Sequence, residues 1–199
     1  MNNARRITSS FLGIYAGLLA CQHGIFELLQ GPRPLGGLMI QAIGAPCQPK
    51  TAWHACYPAM TLIPNVLISG IAAVIAGLSV LIWALVFVTR PHGGLILGLL
   101  SLSMLLVGGG FVPVFIGLVG GVVGSRIHAP GRLQGAPWRL LAKCWPWTLF
   151  LMAAWFPGSW LLGHYFNQAM LAQSGFLFFS FDIVLPVLTG FSGIANNME

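Results

Sequence analysis

Acidic side chains are rare in this chain, which makes each of them a candidate for chemistry. Asp and Glu together number 3 among 199 residues, and two of them, Glu27 and Asp182, lie inside long apolar stretches. His23 stands four residues before Glu27, so a helix would place both on one face. An ionisable side chain is costly in hydrocarbon unless it is paired. These residues therefore predict a polar site for a proton or a small solute.

Two further polar residues join this predicted site when depth is estimated along the helices. At about 1.5 Å per residue, Glu27 lies about 5 Å, and His23 and Asp182 about 10 Å, below the outer surface. Asn65 lies at about 6 Å, and His164 reaches the outer rim. We therefore predict that His23, Glu27, Asn65, His164 and Asp182 gather in the outer leaflet, where His23 and Asp182 can pair.

Three interpretations of this polar cluster remain open. It can be a structural clamp, in which a carboxylate, an imidazole and an amide bond helices together in lipid. It can instead bind or pass a small solute, an ion or a proton. The third hypothesis is a metal or haem ligated through His23 and His164, but nothing else in the sequence favours a cofactor, and none is predicted.

The segment at 31–60 is predicted to be an extracytoplasmic loop. Cys47 and Cys56 both lie in it, and an oxidising exterior permits a disulfide between them. Two free thiols, or a metal pair with His54, are the alternatives. Five prolines in the segment exclude a long helix, while residues such as Leu38 and Ile40 are too apolar for free exposure to water. The loop is expected to fold back on the helix ends, either packing there or covering the polar cluster.

Catalytic signatures are absent from the sequence. It contains no HExxH, GxSxG or Cys-x-x-Cys motif, no glycine-rich phosphate loop with a lysine, and no paired aspartates typical of intramembrane proteolysis. No catalytic residue or metal ligand is therefore predicted, and an enzyme is unsupported. The excess of basic residues follows from membrane orientation, so nucleic acid is not an expected partner.

The elements that must position these residues are transmembrane helices. Hydrophobic residues make up 57% of the chain and charged residues 6%, which excludes a soluble globular domain. We predict an all-α, single-domain helical bundle in the lipid bilayer, with six membrane segments. They cover 8–30, 61–89, 93–107, 111–125, 144–163 and 175–194, with a basic cytoplasmic connection at 126–143.

The apolar block from Gly93 to Ser125 is predicted to form a helical hairpin. As one helix it would be about 50 Å long, more than a bilayer needs. Gly108, Gly109 and Gly110, followed by Pro113, mark a break between two helices. The hairpin also puts seven basic residues on one side against two, which makes both termini cytoplasmic. Each arm is short for a span, so a re-entrant pair is the alternative.

Small residues recur four apart along several segments, a spacing that lets helices approach closely in lipid. The pairs are Gly13/Gly17, Gly94/Gly98, Gly117/Gly121 and Gly120/Gly124. These faces predict a compact bundle, and they also favour a homo-oligomer or a hetero-complex. Two functions follow as alternatives to solute or proton transport: an accessory or assembly subunit of a larger membrane complex, and a haem or redox protein.

Several short stretches carry a family resemblance. They are HGIFELLQG at 23–31, TLIPN at 61–65, LLVGGGFVP at 105–113, SRI at 125–127 and FSFD at 179–182. With them the chain resembles a loose family of uncharacterised bacterial multi-pass membrane proteins. The resemblance implies a bacterial inner membrane and supports the hairpin, and it brings no established activity.

Overall fold

The fold is given by a computed structural model, which describes residues 3–41, 57–129 and 135–196. Cys47, Cys56 and His54, and with them the predicted disulfide, lie outside the described residues. The described ranges form six helices and one small antiparallel pair of strands, so the all-α prediction is confirmed. The helices are α1 Asn3–Gln30, α2 Val66–Phe87, α3 Gly93–Leu105, α4 Phe111–Ser125, α5 Ala136–Ala172 and α6 Ser174–Asn196. The strands are β1 Met39–Gln41 and β2 Pro58–Met60.

Three helices in the described part of the chain are long and apolar enough to cross a membrane, namely α1, α2 and α6. The exterior of the bundle carries large apolar side chains, as contact with hydrocarbon requires. Ile75 and Leu85 on α2, and Leu99 on α3, are each 58–60% exposed. Contiguous exposed faces of this kind are rare on soluble proteins, whereas hydrocarbon solvates them at no cost.

The interior is built from small residues because α1 and α2 pack with their backbones nearly touching. A Cβ added at Gly17 would lie 2.6 Å from the carbonyl oxygen of Gly77, and one at Gly24 would lie 2.7 Å from that of Gly70. The two pairs run in opposite directions along the helices, so α1 and α2 are antiparallel. Any larger residue at these points would separate the helices.

We expect Gly17→Ala to destabilise the protein by about 1–3 kcal/mol, because the new methyl group meets backbone that cannot move aside. The thermal midpoint of the purified protein in detergent measures this effect. The matched control is Gly158→Ala on α5, where a new Cβ has no heavy atom within 4 Å. Equal midpoints for the two variants would contradict the close packing of α1 against α2.

Helices α3 and α4 lie side by side as an antiparallel pair. The backbone of Gly94 lies against that of Gly124, Gly98 lies against Gly121, and Ser101 lies against Gly117. The chain reverses at Gly108 and Gly110, whose φ angles of 91° and 82° favour glycine. The pair therefore has the geometry of the predicted hairpin.

The reversal between α3 and α4 is joined to the segment that leads into α2. Thr61 and Val107 form an isolated β-bridge. The amide of Leu62 donates to the carbonyl of Leu106 at 2.8 Å, and that of Gly108 donates to Met60 at 2.8 Å. Backbone groups that the helices leave unpaired are thus satisfied by extended chain from 60–62. This segment, predicted as the first turn of a helix, is extended instead.

Basic residues collect at one end of the bundle, which we call the basic end. Its members among the described residues are Arg5, Arg6, Arg90, Arg126, Arg139 and Lys143. The guanidinium of Arg5 is 2% exposed and donates to the carbonyls of Arg126 and Ala129, at 2.7 Å each, and to Ile194 at 3.5 Å. One side chain therefore joins the start of α1 to the ends of α4 and α6, and complements their helix dipoles.

Helices α5 and α6 pack together and complete the bundle. Thr148 on α5 lies 3.0 Å from the Ser192 hydroxyl on α6, and Asn196 donates to the carbonyl of Ala142 at 3.2 Å. Two prolines lie inside α5, and the helix is interrupted at Phe166. Helix α6 widens into a π-helical stretch at Phe178–Val184, a local departure that often accompanies functional sites. This stretch carries Asp182.

Candidate functional site

Asp182 is held at the end of the bundle opposite to the basic end. Its side chain is 8% exposed. The Tyr57 hydroxyl donates to Oδ2 at 3.1 Å, and the indole N–H of Trp155 donates to Oδ1 at 3.3 Å. The Trp155 ring stacks on Phe181 with centroids 4.0 Å apart, which fixes its orientation. Each carboxylate oxygen thus accepts one hydrogen bond from the described residues and has acceptor capacity for another.

A small cavity of about 60 Å³ lies beside this carboxylate. It is bounded by α1, α4, α5 and α6 together with Tyr57, the residue that precedes β2. Its polar lining includes Gln22, His23, Tyr57, Ser159 and Asp182, and aromatic rings form much of the remainder. His23 and Asp182, which the sequence places at equal depth, therefore lie on one cavity. We refer to it as the Asp182 cavity.

The imidazole of His23 lies under the reversal between α3 and α4. His23 is 6% exposed, and a Cβ added at Gly110 would lie 2.7 Å from its Nε2 atom. Only a residue without a side chain fits between the chain reversal and this ring. The position of His23 on the cavity thus depends on the glycine that covers it.

Glu27 occupies a separate enclosed position, and it does not line the Asp182 cavity. Its side chain is fully buried, and within the described residues neither carboxylate oxygen accepts a hydrogen bond. It lies between α2 and the chain reversal, against Gly108 and the Ser69 hydroxyl. That hydroxyl is 2.9 Å from Thr61 Oγ1 and 3.1 Å from the Val107 carbonyl. The predicted cluster is therefore divided into two neighbouring positions on α1.

The other two predicted site residues lie outside the cavity. Asn65 is the N-cap of α2, where its side-chain oxygen accepts a hydrogen bond from the amide of Ile68 at 3.2 Å. His164 is exposed on α5, and its ring lies edge-on to Tyr165 at 4.8 Å. The structure therefore brings His23 and Asp182 together and leaves Asn65 and His164 elsewhere.

Because Asn65 is a helix cap, we expect Asn65→Ala to cost about 1 kcal/mol of stability without any change at the Asp182 cavity. Asn65→Asp, which keeps the capping oxygen, should retain stability close to that of the unmodified protein. Thermal midpoints of both variants test the difference. If Asn65→Ala alters Trp fluorescence from the cavity while leaving the midpoint in place, the capping role is wrong.

Among the cavity residues that the sequence analysis did not predict, three are polar groups next to the predicted ones. Tyr57 and Trp155 bind Asp182, and Gln22 precedes His23 on α1. Burial raises the pKa of the Tyr57 phenol, and the charge of Asp182 beside it acts in the same direction. Tyr57 therefore keeps its proton and stays a donor. The only signal for it in the sequence is a hydroxyl-bearing aromatic residue in a loop expected to fold back.

The two histidines of the metal or haem hypothesis, His23 and His164, do not lie at a common site. His23 lies buried on the cavity, whereas His164 lies on the exposed surface of α5. In the described ranges, no group of three or more His, Cys, Asp or Glu side chains is placed to hold a metal ion. The polar groups of the cavity instead include a carboxylate, an imidazole, phenols, an amide and a hydroxyl.

Fold and site together define a class: an all-α protein with helices long and apolar enough for a membrane, an apolar exterior and a buried polar cavity within the described residues. No protein-family model, curated protein or solved structure matches the chain. The chemistry of the cavity is therefore the basis for a function.

Proposed function

We propose that this protein is a six-segment bacterial inner-membrane protein that binds or transports a small solute or proton at a site in the outer leaflet. The observation that carries the proposal is the Asp182 cavity. There a buried carboxylate, with Tyr57 and Trp155 bound to it, and the imidazole of His23 line one space. Such groups are costly within a membrane and usually mark a pathway or a ligand.

The depth of the α3 and α4 pair supports six segments. Along α1, this pair is in contact from Ser9, which donates to the Gly120 carbonyl at 2.7 Å, to Glu27, which lies against Gly108. Those eighteen residues of α1 correspond to about 27 Å, close to the hydrocarbon thickness of about 30 Å. The pair together with its connecting turn therefore extends along about 27 Å of α1, while α3 and α4 themselves, with 13 and 15 residues, are about 20 and 22 Å long.

The distribution of charge supports the orientation. Of the seven Lys and Arg residues in the described ranges, six lie at the basic end, and Arg33 lies at the other. Basic residues remain in the cytoplasm during insertion. The charge distribution therefore supports an orientation with both termini inside and the Asp182 cavity in the outer leaflet, where its solute would arrive from outside the cell.

Binding of a solute is tested by native mass spectrometry of protein extracted in mild detergent at native abundance. We expect a small bound mass that is lost in Asp182→Asn and in His23→Ala. The matched control is His164→Ala, which removes an exposed histidine outside the cavity and should keep the mass. Thermal midpoints of all variants show that loss of the mass is not loss of the fold.

Two results would contradict the proposal. The first is a bound mass that survives both cavity substitutions. The second is a set of co-purifying protein masses without any small mass, which would favour an accessory subunit of a larger complex. Such a complex would need surfaces other than the glycine faces, because Gly17, Gly94, Gly121 and Gly124 already pack within the chain.

A further inference from the structure

The composition of the Asp182 cavity restricts the solute that it can hold. Five of the residues that line it are aromatic: Tyr15, Tyr57, Trp155, Phe156 and Trp160. Aromatic faces attract cations through their quadrupole, and they repel anions. The single acidic residue in the lining, Asp182, has the same preference. Both features select a positively charged ligand.

Asp182 has no cationic partner within the described residues. Its polar contacts there are the neutral donors Tyr57 and Trp155. An uncompensated carboxylate in a region of low dielectric constant is strongly unfavourable, so the site gains when a cation enters. Each oxygen retains acceptor capacity toward such a cation, since each accepts one hydrogen bond from the described residues.

Gln22 adds a requirement for hydrogen-bond donors on the ligand. Its side chain lines the cavity, and its Oε1 atom is enclosed without a donor from the described part of the chain. A buried acceptor without a donor is unfavourable in proteins, and a ligand N–H removes this cost on binding. An ammonium group provides several such donors, whereas a quaternary ammonium provides none.

Size and ligand chemistry exclude larger or harder cations. The cavity of about 60 Å³ takes only a few water-sized groups. Divalent metal ions require about six oxygen ligands in a shell around them. The lining instead offers a single carboxylate, and its other side-chain oxygens belong to neutral groups set among aromatic rings. These properties suit a compact cation with N–H donors and a small apolar part.

We propose that the Asp182 cavity binds a small protonated amine, whose N–H groups face Asp182 and Gln22 Oε1 and whose carbon substituents contact the aromatic rings. This inference rests on the proposed function, since it assigns a substrate class to the same cavity. Binding requires the positive charge, the N–H donors and the small size of the ligand together. Neither an alkali cation nor a neutral molecule of similar volume therefore substitutes for the amine.

The test uses the full-length protein in lipid nanodiscs and methylammonium chloride as the probe. The thermal midpoint and Trp fluorescence are recorded against increasing probe, with sodium chloride at equal ionic strength and methanol as a neutral comparison. We expect a saturable response to methylammonium, and none to sodium ions or methanol. Tetramethylammonium, which has no N–H donor, should bind at least tenfold more weakly.

Amino-acid substitutions test whether the response to methylammonium arises in the Asp182 cavity. Asp182→Asn should abolish it, and Gln22→Leu should weaken it about tenfold, which keeps the proposal testable if Asp182→Asn fails to fold. Tyr57→Phe removes the hydroxyl that donates to Asp182, and its matched control is Tyr165→Phe, which alters an exposed tyrosine outside the cavity. Of these two tyrosine variants, only Tyr57→Phe should change the affinity for methylammonium.

The outcomes separate this inference from the proposed function. No response to methylammonium, together with a different small mass that depends on His23 and Asp182, overturns the amine and leaves the solute site in place. If methylammonium chloride and sodium chloride give equal responses, the requirement for N–H donors on the ligand is wrong. No response and no bound mass contradict both proposals, whereas a response in Asp182→Asn equal to that of the unmodified protein places the amine elsewhere and overturns the inference.

Discussion

Arg5→Met is expected to lower stability by about 3 kcal/mol, because the variant removes one charged donor from three backbone carbonyls at the basic end. The carbonyls of Arg126, Ala129 and Ile194 would then lack this donor in a region with little water. Fluorescence-detected gel filtration after heating measures the loss as a lower midpoint. Arg5→Lys should recover only part of it, since an ammonium cannot reproduce the planar fork of a guanidinium.

The neighbouring arginine provides the control for this prediction. Arg6 is exposed, so Arg6→Met removes the same charge from the same end without removing a buried contact. Its midpoint should stay close to that of the unmodified protein. If the two methionine variants are equally unstable, the effect comes from charge at the N-terminal end, and the proposed role of the Arg5 hydrogen bonds is wrong.

The second large effect is expected for Gly108→Ala at the reversal between α3 and α4. The φ angle of 91° is unfavourable for alanine by about 1–2 kcal/mol. The added Cβ would also lie 2.6 Å from Glu27 Oε2 and 2.7 Å from Ser69 Oγ. Together these effects should lower stability by about 2–4 kcal/mol, seen as a reduced thermal midpoint in detergent.

Gly31→Ala separates the two contributions to that effect. Gly31 has a φ angle of 77°, but a Cβ there has no heavy atom within 4 Å. This variant should therefore show the backbone cost alone. In addition, the double variant Gly108→Ala with Glu27→Ala should recover the part that is due to the contact with the carboxylate. Identical losses for Gly31→Ala and Gly108→Ala would contradict the close approach of Glu27 to the reversal.

The helices were largely predictable because their signals are local. Gly108, Gly109 and Gly110 before Pro113 separate α3 from α4, and the structure has helices ending at Leu105 and beginning at Phe111. The start of α2 differs from the predicted Thr61 because Pro64 disfavours helix at the preceding residue and Asn65 caps the helix. Conversely, α5 begins at Ala136, within the predicted cytoplasmic connection, since Pro137 is compatible with a first turn.

The sequence predicted how deep the site residues lie along their helices, but not the direction in which their side chains point. Counting residues from the helix ends put His23 and Asp182 at one level, and they line one cavity. The same count included Asn65 and His164, whose side chains point elsewhere because depth says nothing about direction around the helix axis. Tyr57 and Trp155 depend on the path of a loop and on the kinked α5, both of which are determined by tertiary packing.

The Arg5 contacts have a consequence for how the chain is made. Their partners lie 121, 124 and 189 residues downstream of Arg5. At about 5–20 residues per second, the last partner leaves the ribosome about 10–40 s after Arg5 does. Until Arg126 has been made, none of these three carbonyls is present for the guanidinium, and the contact with Ile194 is the last that becomes possible. The first helix is thus synthesised first and completed last, so that arrival of α6 is the step that closes the bundle.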